Sequence, residues 1–423
     1  MAPRKRRFPL LLPVLGLLSV TALAGCVPPS KPRVANPVVQ RPVIELTATR
    51  FAALQGWGSG DPGKGLEAFR RSCAVLQQMP DNAELGGAGY AGTAGTWRNV
   101  CQRALLTSST PERARAFFES EFVPYRLSRG EEGLFTGYYE PELKGSRTRH
   151  GPYQTPLYGV PPDLVSIDGA VFRDTAAGRD LAGRMVATMM SMMLVNDRFV
   201  PYPTRAEIER DGLPVMPLFY VDDPTDAFFL QVQGSGRVVL DDGAVVRAAY
   251  AGQNGQPYTA IGAVLIERGE LTSEEVSLQS IRAWLLNHPD EAQGVMDTNA
   301  SYVFFSEQPI GDPALGATGA EGVSLTPQAS LAVDRAIHAL GVPAWLEASA
   351  PDTNAAGPDR PFDALLVMQD TGGAIRGTVR GDVYWGFGPA AGAVAGRMKN
   401  GGRLTVLLPR AVAVRLGAVW VSR

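Results

Sequence analysis

Two aspartates near the C-terminal end, Asp370 and Asp382, stand twelve residues apart. The apolar run from Ala364 to Met368 reads as a buried strand that ends on the first of them. Gly372 and Gly373 follow, so the backbone there can approach a ligand with no side chain in the way. A short β-prone run, Arg376 to Val379, leads to Asp382, and a third, Val383-Tyr384-Trp385, leaves it. Two carboxylates at strand ends can converge on one pocket, with Gly-rich loops, Tyr384 and Trp385 around them, as sugar-binding clefts often require. The plainer reading is two capped turns with solvated aspartates, and spacing alone does not choose between them.

Other chemistries have less to build on. Only three histidines occur, His150, His288 and His338, far apart and without metal-ligand spacing, so neither a metal nor a cofactor is expected. A serine triad has no Gly-x-Ser-x-Gly elbow to support it. The formal net charge of −2 lacks the basic excess that nucleic acid would require. Gly 47 and Pro 33 are high for a helical protein and point to many turns and strands.

The first residues read as an export signal. Arg4-Lys5-Arg6-Arg7 precedes a short apolar core, Phe8 to Leu18, and then Leu23-Ala24-Gly25-Cys26. This stretch resembles the lipobox of bacterial lipoproteins, which implies that Cys26 becomes a lipidated N-terminus. Val27, where an Asp tends to retain such proteins in the inner membrane, then favours the outer membrane, with the chain lipid-anchored on its periplasmic face. The remaining cysteines, Cys73 and Cys101, are an even pair in an exported chain and suggest a disulfide. The alternative is two buried free thiols.

In order along the chain, residues 27–44 read as a Pro-rich tether. Leu66, Phe69, Cys73 and Leu76 recur at helical spacing, as do Trp97, Cys101 and Leu105. Thr110-Pro111-Glu112 looks like a helix start. Strands are expected at 134–143 and 153–158, a helix at 181–195, and strands at 228–236, 236–240 and 245–249 around an Asp241-Asp242-Gly243 turn. Thr272 to Glu275 reads as a capping box opening a helix through Leu285. Strands follow at 299–305, 331–334, 404–408 and 412–421.

Five separated stretches arrive in an order that resembles the membrane-bound lytic murein transglycosylase A family. They are Phe135 to Pro141, Tyr250 to Tyr258, Asn299 to Phe305, Ser330 to Arg335, and the run around Asp370 and Asp382. The resemblance implies a mainly β, α+β fold. A double-psi β-barrel carries an N-terminal helical region and an inserted second β-domain, with a substrate groove between them. The boundaries that follow are 1–25 for the leader, 26–44 for the tether, 45–140 for the helical part, 141–301 for the insert and 302–423 for the barrel. The three aspartates of the family's module fall on Asp334, Asp370 and Asp382, and the resemblance implies that Asp382 is the catalytic acid with Asp370 close by.

The implied reaction cleaves the bond between N-acetylmuramic acid and N-acetylglucosamine in peptidoglycan without water. The C6 hydroxyl closes on C1 to give a 1,6-anhydro ring. One carboxyl then suffices, first as acid and later as base. It must start protonated, which an ionised Asp370 beside Asp382 would favour. Asp334 has a structural reading, accepting backbone N–H bonds to hold loops. Thr136, Tyr138, Tyr139, Glu140, Gln154 and Gln233, with Gly372 and Gly373, are the residues expected to touch sugar. Core packing is the plain alternative for each aromatic. If Glu140 were a second catalytic carboxylate, the protein would instead be a hydrolase. A non-catalytic wall-binding lipoprotein is the other rival, and a scaffold for envelope proteins is compatible with catalysis. Glycan strands and the outer membrane are the expected partners of a monomeric chain.

Overall fold

The computed structural model describes residues 44–128, 133–168, 189–195, 198–353, 357–417 and 419–421. The leader, Cys26 and the tether through residue 43 lie outside them. Six strands close into a barrel: β1 Gly133–Glu140, β2 Ser330–Val333, β3 Pro343–Ala350, β4 Arg360–Asp370, β5 Arg380–Phe387 and β6 Lys399–Pro409. The ring runs β3-β4-β2-β5-β1-β6 and returns to β3. The β4–β2 and β5–β1 pairs are parallel and the others antiparallel. β2, Ser-Leu-Ala-Val, is buried at every position, as the middle strand of a closed sheet must be. This is the double-psi barrel with an inserted β-domain and an N-terminal helical region.

Three N-terminal helices, α1 Gly63–Leu76, α2 Arg98–Leu106 and α3 Pro111–Glu121, pack as a group in which α1 lies on β4 and α2 and α3 lie on α1. In α1 the helical-period residues Leu66, Phe69, Cys73 and Leu76 are all buried. Pro111 opens α3, and Thr110 has the extended backbone of an N-cap, although its side chain caps nothing. Cys73 and Cys101 form a disulfide that ties α1 to α2 across 28 residues of sequence. Cys101→Ser is expected to lower stability by about 3 kcal/mol, because the unfolded chain regains the entropy of the opened loop. Urea unfolding checks this, and reductant should bring the parent protein close to the variant.

The chain leaves β1 at Glu140 and builds a six-stranded sheet in the order Val303–Pro309, Val245–Gln253, Gly236–Leu240, Glu142–Ser146, Pro217–Val221 and Thr155–Tyr158. The sheet extends to Pro309, so it runs past residue 301, where the sequence placed the end of the insert. The 240s hairpin turns as expected, with Gly243 at φ 86° and Asp242 accepting from Ala244 N–H at 2.8 Å.

Several local expectations are overturned. Residues 228–233 belong to a helix, Pro224–Gln233, not a strand. Asp223 caps its start by accepting from Thr225 N–H, Pro224 opens it, and Gly234 at φ 85° closes it, so end signals outweigh the β-prone Phe-Phe-Leu-Gln-Val. The Met-rich end of the expected 181–195 helix is a strand, Met189–Val195, paired on both sides; residues 181–188 lie outside the described ones. Arg376–Val379 is a turn region rather than a strand, and it contains Gly377 at φ 122°. The segment 412–421 divides into a helix, Arg410–Leu416, and a short strand, Val419–Val421, separated at Gly417 with φ 71°. Thr272 and Glu275 do make their reciprocal bonds, yet the helix begins only at Leu278, under a second box formed by Ser277 and Ser280. The 299–305 strand starts at Val303 because Asn299 turns its side chain back onto Ser301 N–H and across to Thr259 N–H.

Candidate active site

Sheet register brings the two aspartates together. Ala332 of β2 pairs with Asp370 on β4 and with Asp382 on β5, so the acids flank one residue from opposite sides. Two strand spacings separate their backbones by roughly 10 Å, close enough for carboxyl groups leaning inward to feel each other's charge. Both open into a groove of about 820 Å³ between the barrel and the inserted domain. The barrel contributes Gly137, Tyr138, Ala332 and the Gly372-Gly373 turn; the insert contributes Gln233, Ser235, Tyr250, Gln253, Tyr258 and Gln308.

The two acids are held differently. Asp370 is deep, with Oδ2 accepting from the Tyr138 hydroxyl at 2.9 Å and Oδ1 from Ala320 N–H at 3.0 Å. Burial, and more weakly the charge of Asp382, raises its carboxyl above the usual range, while donors from Thr371 N–H, Ala320 N–H and Tyr138 oppose the rise. Asp382 also lines the groove, with 22% of its side chain exposed. Its Oδ1 accepts from Arg380 Nη1 at 2.6 Å and from the Thr136 hydroxyl, and Arg380 Nη2 donates to Thr136 Oγ1 at 2.9 Å. These contacts fix the side chain through one oxygen and leave Oδ2 for the groove that Asp382 lines.

Supporting contacts come from behind the strands. Gln369, next to Asp370 and wholly buried, donates to Ala68 C=O and Ser72 Oγ of α1, both at 2.9 Å, and accepts from Ser330. Asp334 is buried and accepts from Ala336 N–H and Gly377 N–H, each at 3.1 Å. It therefore holds the turn between the other two aspartates and does not line the groove. Burial lowers His338 to about 4, and the neutral ring links Tyr90 to the Thr378 carbonyl of the same turn.

A family model described as the MltA-specific insert domain matches residues 134–306, and one described as the 3D domain matches 329–408. A crystal structure of a membrane-bound lytic murein transglycosylase from Agrobacterium tumefaciens is 34% identical with a TM-score of 0.75, covering 88% of this chain and 99% of its own. The chain belongs to the MltA family. MltA from Neisseria gonorrhoeae is 32% identical at a TM-score of 0.69, over 86% of this chain and 92% of that one. The Escherichia coli K12 membrane-bound lytic murein transglycosylase A is 35% identical over 276 residues, 64% of this chain and 65% of its own length. The match thus spans just under two thirds of that curated relative. A crystal structure of E. coli MltA holds chitohexaose; it is 28% identical at a TM-score of 0.59, over 82% of this chain and 90% of that one.

Most of the residues picked from the sequence meet at this family groove. Thr136 bonds Asp382 and Tyr138 bonds Asp370, and Tyr139, Gln233, Gly372 and Gly373 line the walls, with Gln233 accepting from Tyr139 N–H at 3.1 Å. Gln154 is a correction. It lies at the far edge of the inserted sheet, bonded to Arg149 and to the Gly151 carbonyl, away from the groove. Glu140 is another. It borders the groove but is 2% exposed, and both its oxygens are taken by guanidinium groups, so it offers no free carboxyl to a sugar.

Three residues at the site went unread in the sequence. Tyr250 and Tyr258 are 52% and 46% exposed on the insert wall, and the charge of Asp382 adds to burial in raising the Tyr258 hydroxyl. Arg380 bonds the Asp382 carboxylate directly, and its signal was available: residues two apart on a strand share one face.

Proposed function

We propose that the chain is a lytic transglycosylase that cleaves the β-1,4 bond between N-acetylmuramic acid and N-acetylglucosamine in peptidoglycan, leaving 1,6-anhydro-muramoyl ends. The observation that carries this reading is the asymmetric aspartate pair on the groove floor. One acid, Asp382, keeps an oxygen for the cavity, while its neighbour is surrounded by donors. The chitohexaose held by the E. coli relative supports a β-1,4 glycan as the occupant of the groove.

In this reading Asp382 Oδ2 is the atom that gives and retakes the proton, and Asp370, although burial raises its carboxyl, supplies the negative charge beside it. Tyr138, Ala320 N–H and Thr371 N–H stabilise that charge on Asp370. Asp382 protonates the leaving glycosidic oxygen as positive charge develops at C1, opposite the Asp370 carboxylate. Arg380 and Thr136 then stabilise ionised Asp382. The same Oδ2 takes the proton of the C6 hydroxyl as that oxygen closes on C1, which returns the enzyme to its starting state without water. Exposed Tyr250 and Tyr258 supply faces for sugar rings, and the bare Gly372-Gly373 backbone admits the glycan.

The lipobox reading belongs to the same proposal: Cys26 anchors the protein to the outer membrane on its periplasmic face, within reach of the wall. The relatives' description as membrane-bound supports it. Among the described residues no helix is long and apolar enough to cross a membrane.

Mass spectrometry of products from purified sacculi tests the chemistry. Digestion in oxygen-18 water is expected to give anhydro ends with no heavy oxygen. Heavy oxygen at new reducing termini would replace this reading with hydrolysis.

A further inference from the structure

The strongest feature that catalysis leaves unused is the charge cluster around Glu140. Arg247 Nε donates to Glu140 Oε1 at 2.7 Å, and Arg237 Nε approaches Oε2 at 3.5 Å. The three side chains are 2%, 6% and 7% exposed for Glu140, Arg237 and Arg247. Their Nη2 groups reach the return segment: Arg237 Nη2 bonds the Pro313 and Leu315 carbonyls, and Arg247 Nη2 bonds the Leu315 carbonyl. Arg237 also lies over the Phe387 ring, 3.3 Å from its centroid, and the Tyr384 hydroxyl reaches Oε2 at 3.4 Å.

The placement is what gives this cluster a task. Glu140 is the last residue of β1, where the chain crosses into the inserted domain. Pro313 and Leu315 lie where it returns toward β2. Arg237 and Arg247 project from neighbouring strands of the inserted sheet. Tyr384 and Phe387 belong to β5, with Tyr384 two residues beyond Asp382. One carboxylate thus joins both interdomain crossings to the strand that carries the proposed acid.

We propose that the Glu140–Arg237–Arg247 cluster is the positioning element of the groove. It fixes the inserted domain, with its Tyr250 and Tyr258 wall, at one distance from Asp382. The proposal deepens the glycan-cleaving reading and rests on it for the activity arm of its test. Removing one partner leaves guanidinium charge buried without its counter-ion, whereas replacing the whole cluster by apolar side chains of similar volume is tolerated in other buried triads.

The test compares Glu140→Gln with the triple variant Glu140→Leu/Arg237→Met/Arg247→Met. Spin labels at Glu112→Cys on α3 and Lys144→Cys on the inserted sheet report interdomain distance without reference to activity. The single variant should broaden that distance distribution. It should also lower kcat/KM on glycan by about a hundredfold, the effect of a misplacement of ~1 Å. The triple variant should restore a narrow distribution and most of the activity and chitohexaose binding. A single variant with parental distances and parental KM would overturn the proposal. So would a triple variant with parental distances and parental chitohexaose affinity but no turnover, since Glu140 would then act in the chemistry. Variants that show these distance effects, with a parental protein that neither binds nor cleaves glycan, would instead refute the glycan reading.

Discussion

Asp382→Asn is expected to release between about 10²- and 10⁴-fold less anhydromuropeptide than the parent, the range that removal of a positioned general acid commonly costs. The structure explains why the loss should be confined to turnover. The substituted amide keeps an oxygen for Arg380 and Thr136, so the β5 backbone and the groove wall have no reason to move. What changes is the atom left for the cavity, where an NH₂ group replaces the oxygen that must give and retake a proton. Chitohexaose affinity and thermal stability should therefore stay near those of the parent. Release assayed by mass spectrometry decides it, and a variant with near-normal release would assign the acid elsewhere. Asp370→Asn makes a useful contrast. Its side chain is clasped by Tyr138 and Ala320 N–H, and an amide NH₂ cannot accept, so one of those two donors loses its partner.

The parts of this site that were legible in the sequence are those carried by local signals. An apolar run ending on an acid, with Gly-Gly after it, located the end of β4 and the groove turn. The β-prone aromatic stretch before Glu140 located β1, and its parallel pairing with β5 sets Thr136 beside Asp382. The loop-holding alternative for Asp334 needed only the habit of short acids to accept backbone N–H bonds, and the structure supplies Ala336 and Gly377 as donors.

What stayed hidden depended on tertiary partners. Glu140 as a lone residue in an aromatic strand looks like a candidate acid. Only the fold brings Arg237 and Arg247, about a hundred residues later, onto both its oxygens. Gln154 shares the polar-aromatic texture of the sugar-facing stretches but is placed at the outer sheet edge by pairing of Thr155–Tyr158 with Pro217–Val221. The 224–233 helix shows the opposite case: its β-rich composition points to a strand, but the Asp-Pro start and Gly stop that bracket it decide for a helix.

Glu321→Gln should remove a pH dependence of stability that burial of this carboxyl is expected to impose on the parent between about pH 4.5 and 7. Glu321 lies on the loop whose Ala320 N–H supports Asp370, and its own N–H donates to the Gln369 carbonyl at 3.0 Å. Its Oε2 accepts from Ser72 of α1 at 2.6 Å, while its Oε1 is buried without a partner among the described contacts. Burial raises this carboxyl from 4.5 to about 7, against the opposing bonds from Ser72 and Gln369. A carboxyl raised on folding is harder to ionise in the native state, so its contribution is fully present below the unfolded value and is lost as pH climbs through the folded one. The parent should therefore lose stability between about pH 4.5 and 7 by an amount on the order of 3 kcal/mol at most. Glutamine mimics the protonated side chain, keeps an acceptor for Ser72, and carries no charge to bury. Urea unfolding at a series of pH values should show the variant flat across that window and more stable than the parent above it. Parallel curves for the two proteins would mean that Glu321 ionises in the native fold as readily as in the unfolded chain.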